Sequence, residues 1–447
     1  MKKQNKHQRA PGFEKHLLRN CEKYTFCEST KMEEELGKGA FGTVRTFNGL
    51  AQKTMTWDAN EGVPYYVIRE IAALRHLRTC WWVLKLVKIH IAKFTIKLDT
   101  RRFRRTLVDY RAKSEADTKN IIFRVLIGLL SAQTRGIMHR DIKPANIFLD
   151  SPTDVVIGDW GLSRVENANY SECLEKLSNP VQTQWYRAPE VISRKQQYDS
   201  KIDVWSVGCL LYEMLTNTVL FSCEENKNQE HLALIEAWVL RTETFLPTIV
   251  RKMIEPDPGK RLSIQECLDD SYFDEVRFAY ELPKTRRTFE WRTGLALEER
   301  DCLVDILAKF AKSRKPLCSP DRFLRIFALA ASLATPGHAA ASIGVAFKIF
   351  DVPSVDMYDL GGAHDIINAE RDLLVHWQFD IYSRMPESVT AADFLRWCSQ
   401  DETDFVAQQF RAQIIDIAKF IAGIQPSFCI QTSPAPMFLD EDLLRKL

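Results

Sequence analysis

The stretch His139-Arg140-Asp141-Ile142-Lys143-Pro144-Ala145-Asn146 constrains this chain more than any other. It puts a carboxylate (Asp141), a cation (Lys143) and a side-chain amide (Asn146) in one short loop. Two β-type runs follow, Ile147-Phe148-Leu149 and Val155-Val156-Ile157, then a second carboxylate in Asp159-Trp160-Gly161. Phosphoryl transfer to a hydroxyl needs this set. One carboxylate orients the nucleophile, a cation steadies the moving phosphoryl, and an amide with a carboxylate holds Mg²⁺.

Upstream lies Leu36-Gly37-Lys38-Gly39-Ala40-Phe41-Gly42-Thr43-Val44. Its glycines let a strand–turn–strand approach nucleotide phosphates closely, with backbone N–H groups facing them. Alone the pattern is weak. Here it precedes Lys53 on the next expected strand and then Glu70 in an expected helix. The short interval before Lys53 predicts a tight hairpin. Together these motifs resemble the eukaryotic protein kinases, with Trp160 where the second metal motif usually carries Phe. The resemblance implies ATP and Mg²⁺ as cofactors and an α+β, two-lobed kinase fold. It makes Asp141 the aspartate that orients the substrate hydroxyl and Lys143 the support of the phosphoryl group. Asn146 and Asp159 become the Mg²⁺ ligands, and Lys53, held by Glu70, aligns the ATP. Gly37, Lys38, Gly39, Ala40, Phe41, Gly42 and Val44 would cover the nucleotide.

The surroundings of Glu70 narrow the kinship. Glu61-Gly62-Val63-Pro64 and Ile68-Arg69-Glu70-Ile71 resemble the regulatory helix of cyclin-dependent kinases, with Tyr65-Tyr66-Val67 as the departure. Trp185-Tyr186-Arg187-Ala188-Pro189-Glu190 resembles the same branch, which includes mitogen-activated kinases. The resemblance pairs Glu190 with Arg261 in a buried ion pair. It also aims Arg69, Arg140 and Arg164 at a phosphorylated activation-segment residue, for which the matching position is Ser178. Gln182 stands where the family usually has valine, a departure in the pocket on which proline-directed specificity depends.

Residues 80–118 match less well. Trp81 to Ile91 and Phe94 to Leu98 read as strands, which places the adenine-contacting hinge near Leu98-Asp99-Thr100. Arg101, Arg102, Arg104 and Arg105 follow. They read either as a solvated loop or as a preference for acidic or phosphorylated substrates.

The 447 residues allow two or three domains at roughly one per 150 residues. A net charge of +2 gives no strong sign of a nucleic-acid partner. The 11 cysteines form no CxxC pair, and no signal sequence opens the chain, which predicts an intracellular protein of the nucleus or cytoplasm. The longest apolar run, about 327–347, is broken by Thr335-Pro336-Gly337-His338 and reads as two helices, so no membrane association is expected. Lys2, Lys3, Lys6 and Arg9 mark a basic tail over 1–32.

The kinase pattern occupies 33–275, followed by a charged linker over 276–295. Helical periodicity then predicts helices over 323–333, 339–350 and 366–379. Arg300 to Leu307, Ala341 to Lys348 and Ala369 to Leu374 resemble helices of a cyclin box, over 296–385, and a helical extension would fill 386–447. In cyclins the lysine and glutamate at these places touch the kinase near its regulatory helix; here they are Lys348 and Glu370. The aspartate expected opposite Arg300 is replaced by Ala331. The whole therefore resembles a serine/threonine kinase of the cyclin-dependent type followed by an all-α cyclin-like domain. Its partners would be protein substrates with Ser/Thr acceptors and its own intramolecular activator. A kinase that needs an external cyclin, with the helical segment as a binding module, is the alternative. A pseudokinase scaffold is a third reading.

Overall fold

A computed structural model describes residues 34–39, 41–58, 62–92, 94–165, 184–193, 198–224, 227–241, 245–278, 280, 303, 320–335, 338–350 and 363–384. These fall into two compact units. One takes the residues up to Thr56, those from Arg69 to Val165, and those from Gln184 to Tyr280. The other takes Trp57–Ile68 and the residues after 285.

The first unit opens with a five-stranded antiparallel sheet in the order β1-β2-β3-β5-β4. Its strands are β1 (Glu35–Gly39), β2 (Gly42–Phe47), β3 (Leu50–Thr56), β4 (Leu86–Ala92) and β5 (Thr95–Arg101). The β2–β3 hairpin is as tight as the sequence requires: Asn48 and Gly49 both take positive φ, 48° and 78°, and Phe47 pairs with Leu50. Asn-Gly favours this two-residue turn because both positions tolerate the left-handed region. At the β1–β2 turn Gly42 has φ +138°, and a Cβ there would lie 2.4 Å from the Thr54 carbonyl oxygen. Only glycine lets β2 cross so close to β3.

Helix α1 (Tyr65–His76) follows β3, and the division between the units falls within it, after Ile68. Its residues from Val67 to Leu74 are all buried, including Arg69 and Glu70. The strand expected from Trp81 starts only at Leu86. Backbone groups at the earlier positions are taken elsewhere: Ile157 N donates to Trp82 O at 2.9 Å and Leu84 N to Ile157 O at 2.9 Å. The expected hinge residues Leu98, Asp99 and Thr100 lie inside β5, and the crossover to the next sheet is made by 102–104.

The remainder of this unit is mainly helical. β6 (Arg105–Thr106) leads to α2 (Glu115–Gln133), β7 (Ile137–Met138) and the hairpin β8 (Ile147–Ser151) and β9 (Asp154–Ile157), then β10 (Arg164–Val165). β6, β8 and β9 form one small sheet; β7 and β10 form another. Ser114 caps α2 by accepting from Asp117 N, and Glu115 and Asp117 complement the positive end of the helix. α3 (Pro189–Ile192), α4 (Lys201–Thr216), α5 (Asn228–Leu240), α6 (Thr248–Met253) and α7 (Ile264–Asp269) complete it. α2 packs on α4 and α7 around a core that includes Ile122, Phe123, Leu126, Trp205, Leu211 and Phe273. Ser263 and Glu266 form a reciprocal capping box on α7.

In the second unit, α8 (Pro320–Leu333), α9 (Ala339–Ile349) and α10 (Ala363–His376) lie close to the helices expected from periodicity. α9 packs against both α8 and α10, and its residues 339–349 are buried except Ala340. Such a helix, apolar all round, belongs at the centre of a bundle. Among the described residues, no helix is long and apolar enough to cross a membrane.

Candidate active site

The site is assembled around Asp203, in the first turn of α4. Its carboxylate accepts from the backbone N–H of His139 at 2.8 Å and of Arg140 at 2.7 Å. This fixes the loop after β7, where Arg140 takes φ 71°. The His139 ring bridges onward. Its Nδ1 accepts from Asp141 N at 3.2 Å, which assigns the ring proton to Nε2, 2.9 Å from Gly158 O. The backbone of Asp141 and the approach to Asp159 are thereby held by one imidazole.

Asp141 is surrounded by its loop partners. Lys143 Nζ lies 2.8 Å from Asp141 Oδ2, and Asn146 Nδ2 donates to the same oxygen at 2.9 Å and to Asp141 O at 2.7 Å. Asn146 stands immediately before β8, and Asp159 follows β9 by two residues. The hairpin thus carries the expected pair of Mg²⁺ ligands at its two ends. Gly158 N donates to Asn146 O at 2.9 Å and draws those ends together.

Asp159 takes a left-handed backbone, φ 54° and ψ 68°. The tryptophan that departs from the usual sequence holds this turn. The Trp160 ring is fully buried, packs edge-on against His139 at 4.5 Å and donates from Nε1 to Ile157 O at 3.2 Å. Phenylalanine could make the ring contact but not that hydrogen bond.

Lys53, from β3, joins the two parts of the site. Its ammonium is 3.0 and 2.8 Å from the Glu70 oxygens and 3.1 Å from Asp159 Oδ1. Burial works against its charge, but Asp159 and Glu70 outweigh that and raise its pKa above the ordinary lysine value. Burial likewise opposes ionisation of Asp159, yet Lys53 first, then Lys143 and His139, pull its pKa below the usual carboxylate value. Val44 lies directly across from Lys53 on β2, which puts both side chains on one face of the sheet. Gly37, Lys38 and Gly39 form the end of β1, and Phe41 is buried at the turn. Ala40 lies outside the described residues.

The donor set suits a magnesium nucleotide: hard oxygen ligands from an amide and a low-pKa carboxylate, a lysine charge, and glycine backbone above. Comparison with known proteins agrees. The protein kinase domain family matches residues 30–273. This chain belongs to the protein kinase family. The kinase is 30% identical over 287 residues to Cell division control protein 2 homolog 2 of Trypanosoma brucei brucei, covering 55% of this chain and 82% of the relative. It is 26% identical over 295 residues to Cyclin-dependent kinase B2-1 of Oryza sativa subsp. japonica, covering 54% and 89%. It is 26% identical over 337 residues to Mitogen-activated protein kinase mpkA of Aspergillus fumigatus, covering 63% and 79%. It is a serine/threonine protein kinase related to the cyclin-dependent and mitogen-activated groups. Its family uses ATP and Mg²⁺.

The other expected residues of the kinase fall as follows. Arg261 grips Glu190 through two bonds, 2.6 and 3.0 Å, and the side chains are 0% and 2% exposed. Arg261 also donates to Glu255 O and Lys201 O, which satisfies the buried guanidinium. Arg164 in β10 pairs with Met138 in β7, just before the loop that carries Arg140, while Arg69 precedes Glu70 on α1. Arg69 and Arg164 are buried. Ser178 lies outside the described residues. In the second unit, Lys348 donates to both Glu370 oxygens, at 2.6 and 2.8 Å, and to the backbone carbonyl of Val63 at 2.8 Å.

The Asp203 carboxylate, the His139 ring, the Trp160 Nε1–H and the Val63 carbonyl make contacts that the motifs alone do not announce. Asp203 lies outside the motifs, and a backbone carbonyl such as that of Val63 leaves no mark in a sequence.

Proposed function

We propose that this kinase is of the cyclin-dependent type and is held active in cis by its own C-terminal helices, which act as a cyclin-like domain. ATP with Mg²⁺ supplies the phosphoryl group. Asp141 accepts the hydrogen bond of a substrate Ser/Thr hydroxyl and directs its oxygen in line with the γ-phosphorus. Lys143 offsets the charge on the transferring group. Asn146 and Asp159 hold the metal, and Lys53, kept in place by Glu70, orients the α/β-phosphates.

The observation that carries the cis reading is the Lys348 ammonium on the Val63 carbonyl, 2.8 Å away. Val63 lies two residues before the first residue of α1, and α1 bears Glu70. A switch of this class turns on whether that helix holds its glutamate inward. Glu370 completes the contact by pairing with Lys348 inside the same buried site. Covalent tethering presents such an activator at an effective concentration of order mM when the connector spans the distance. In this reading the basic tail covers 1–32, the kinase 33–275, the linker 276–295, the cyclin-box-like segment 296–385 and the extension 386–447. Phosphate on Ser178 would be gathered by Arg69, Arg140 and Arg164.

The test is ATP-dependent phosphorylation of a histone-type peptide panel by the purified full-length chain, with and without an added cyclin. Asp141→Asn serves as the catalytic control. The proposal expects full activity from the chain alone. Activity that appears only with added cyclin favours a kinase whose tail is a partner-binding module.

A further inference from the structure

Of the four arginines at the end of β5 and beyond it, Arg102, Arg104 and Arg105 are exposed, as expected of a solvated segment, and Arg101 is the exception. Arg101, the last residue of β5, sends its guanidinium across to the β8–β9 hairpin. There it makes a forked pair with Asp154, Nη1–Oδ1 3.1 Å and Nη2–Oδ2 2.5 Å, and reaches Asp150 Oδ2 at 2.8 Å. Asp150 belongs to β8 and Asp154 to β9, so one side chain grips both strands. The crossover itself is fastened at every residue. Arg102 pairs with Glu34 ahead of β1 at 3.1 Å. Phe103 lies under the Arg101 guanidinium at 4.3 Å and beside Phe148 at 6.3 Å. Arg104 N donates to the other Asp150 oxygen at 2.7 Å. Arg105 then enters β6, pairing with Leu149 on β8.

What this fastens matters to the chemistry. The five-stranded sheet carries Lys53; the hairpin carries Asn146 and Asp159 at its opposite end. The Lys53–Asp159 contact of 3.1 Å survives only if sheet and hairpin keep their relative orientation. A lone surface ion pair contributes little. A forked pair shared between two carboxylates and braced by an aromatic ring is more directional. The two aspartates also outnumber the single cation, so the guanidinium is not available to recruit an acidic substrate.

We propose that Arg101 is a positioning residue for nucleotide binding: through Asp150 and Asp154 it locks the sheet that bears Lys53 to the hairpin that bears Asn146 and Asp159. The lock acts on nucleotide affinity rather than on the phosphoryl step, because none of its members reaches the reacting atoms.

The experiment uses the full-length chain with Arg101→Met, Asp154→Asn and Arg101→Lys. Mg·ATP affinity is read by calorimetry and the KM for ATP and kcat by peptide phosphorylation. Arg101→Met and Asp154→Asn should each weaken Mg·ATP binding and raise KM about threefold or more, with kcat within about twofold of wild type. Arg101→Lys, which keeps the charge but loses the fork, should fall between. Asp154→Asn preserves shape and guards against a folding defect in the arginine variants. Mg·ATP affinity equal to wild type in folded Arg101→Met and Asp154→Asn overturns the proposal. So does a fall in kcat at unchanged KM. Calorimetry does not depend on intrinsic activity, so this result stands apart from the question of cis activation.

Discussion

The Lys53 ammonium lies 2.8 Å from Glu70 Oε2, and this ion pair ties β3 to helix α1. Both side chains are largely withdrawn from water, and Asp159 shares the same ammonium. Because its pKa is raised in the folded state, the lysine contributes stability that is fully present below the unfolded value of about 10.4 and is lost only as pH rises through the higher folded value. Lys53→Met should therefore lower the thermal midpoint by a constant amount between about pH 6 and 9, as measured by calorimetry. It should also cut peptide phosphorylation at least about 100-fold. A midpoint difference that shrinks across that range would contradict the charge assignment.

Trp160 donates a hydrogen bond to Ile157 O that phenylalanine cannot make. Trp160→Phe should cost about 1 kcal/mol of stability in denaturant unfolding. It should also raise the Mg²⁺ concentration needed for half-maximal activity, because the bond holds the turn that presents Asp159. An unchanged Mg²⁺ requirement would reduce Trp160 to a packing residue.

Removing one partner of the Glu190–Arg261 pair strands a buried charge. Arg261→Met should destabilise the protein by about 3–5 kcal/mol, whereas the double variant Arg261→Met/Glu190→Leu should recover much of that loss. Equilibrium unfolding of the three proteins measures both effects. Equal losses in the single and double variants would show that the interaction itself, rather than the stranded charge, dominates.

The parts of the site legible in the sequence were those whose chemistry uses neighbouring residues. Asp141, Lys143 and Asn146 sit in one loop, and the geometry brings them together as that spacing implies. The tight β2–β3 hairpin was readable from the short interval before Lys53, although its Asn48-Gly49 turn was not singled out. Long-range partners were legible only where the family resemblance supplied them, as for Lys53 with Glu70 and Glu190 with Arg261. Nothing near His139 announces that Asp203 takes its backbone N–H, and nothing near Arg101 announces Asp150 and Asp154. The late start of β4 has the same origin: Trp82 and Leu84 exchange backbone bonds with Ile157, a residue far along the chain. Helices α8 to α10 were readable from periodicity, but the carbonyl that Lys348 meets was not.

In the proposed function, the C-terminal helices sustain kinase activity through Lys348 and Glu370. The most direct measurement is the rate of peptide phosphorylation by the full-length double variant Lys348→Met/Glu370→Leu, with no added protein, against wild type. This pairing removes the ammonium from the Val63 carbonyl without leaving either charge buried alone. If activation is in cis, the rate should fall at least about tenfold while the thermal midpoint stays close to wild type. Undiminished activity in a folded double variant would contradict the account.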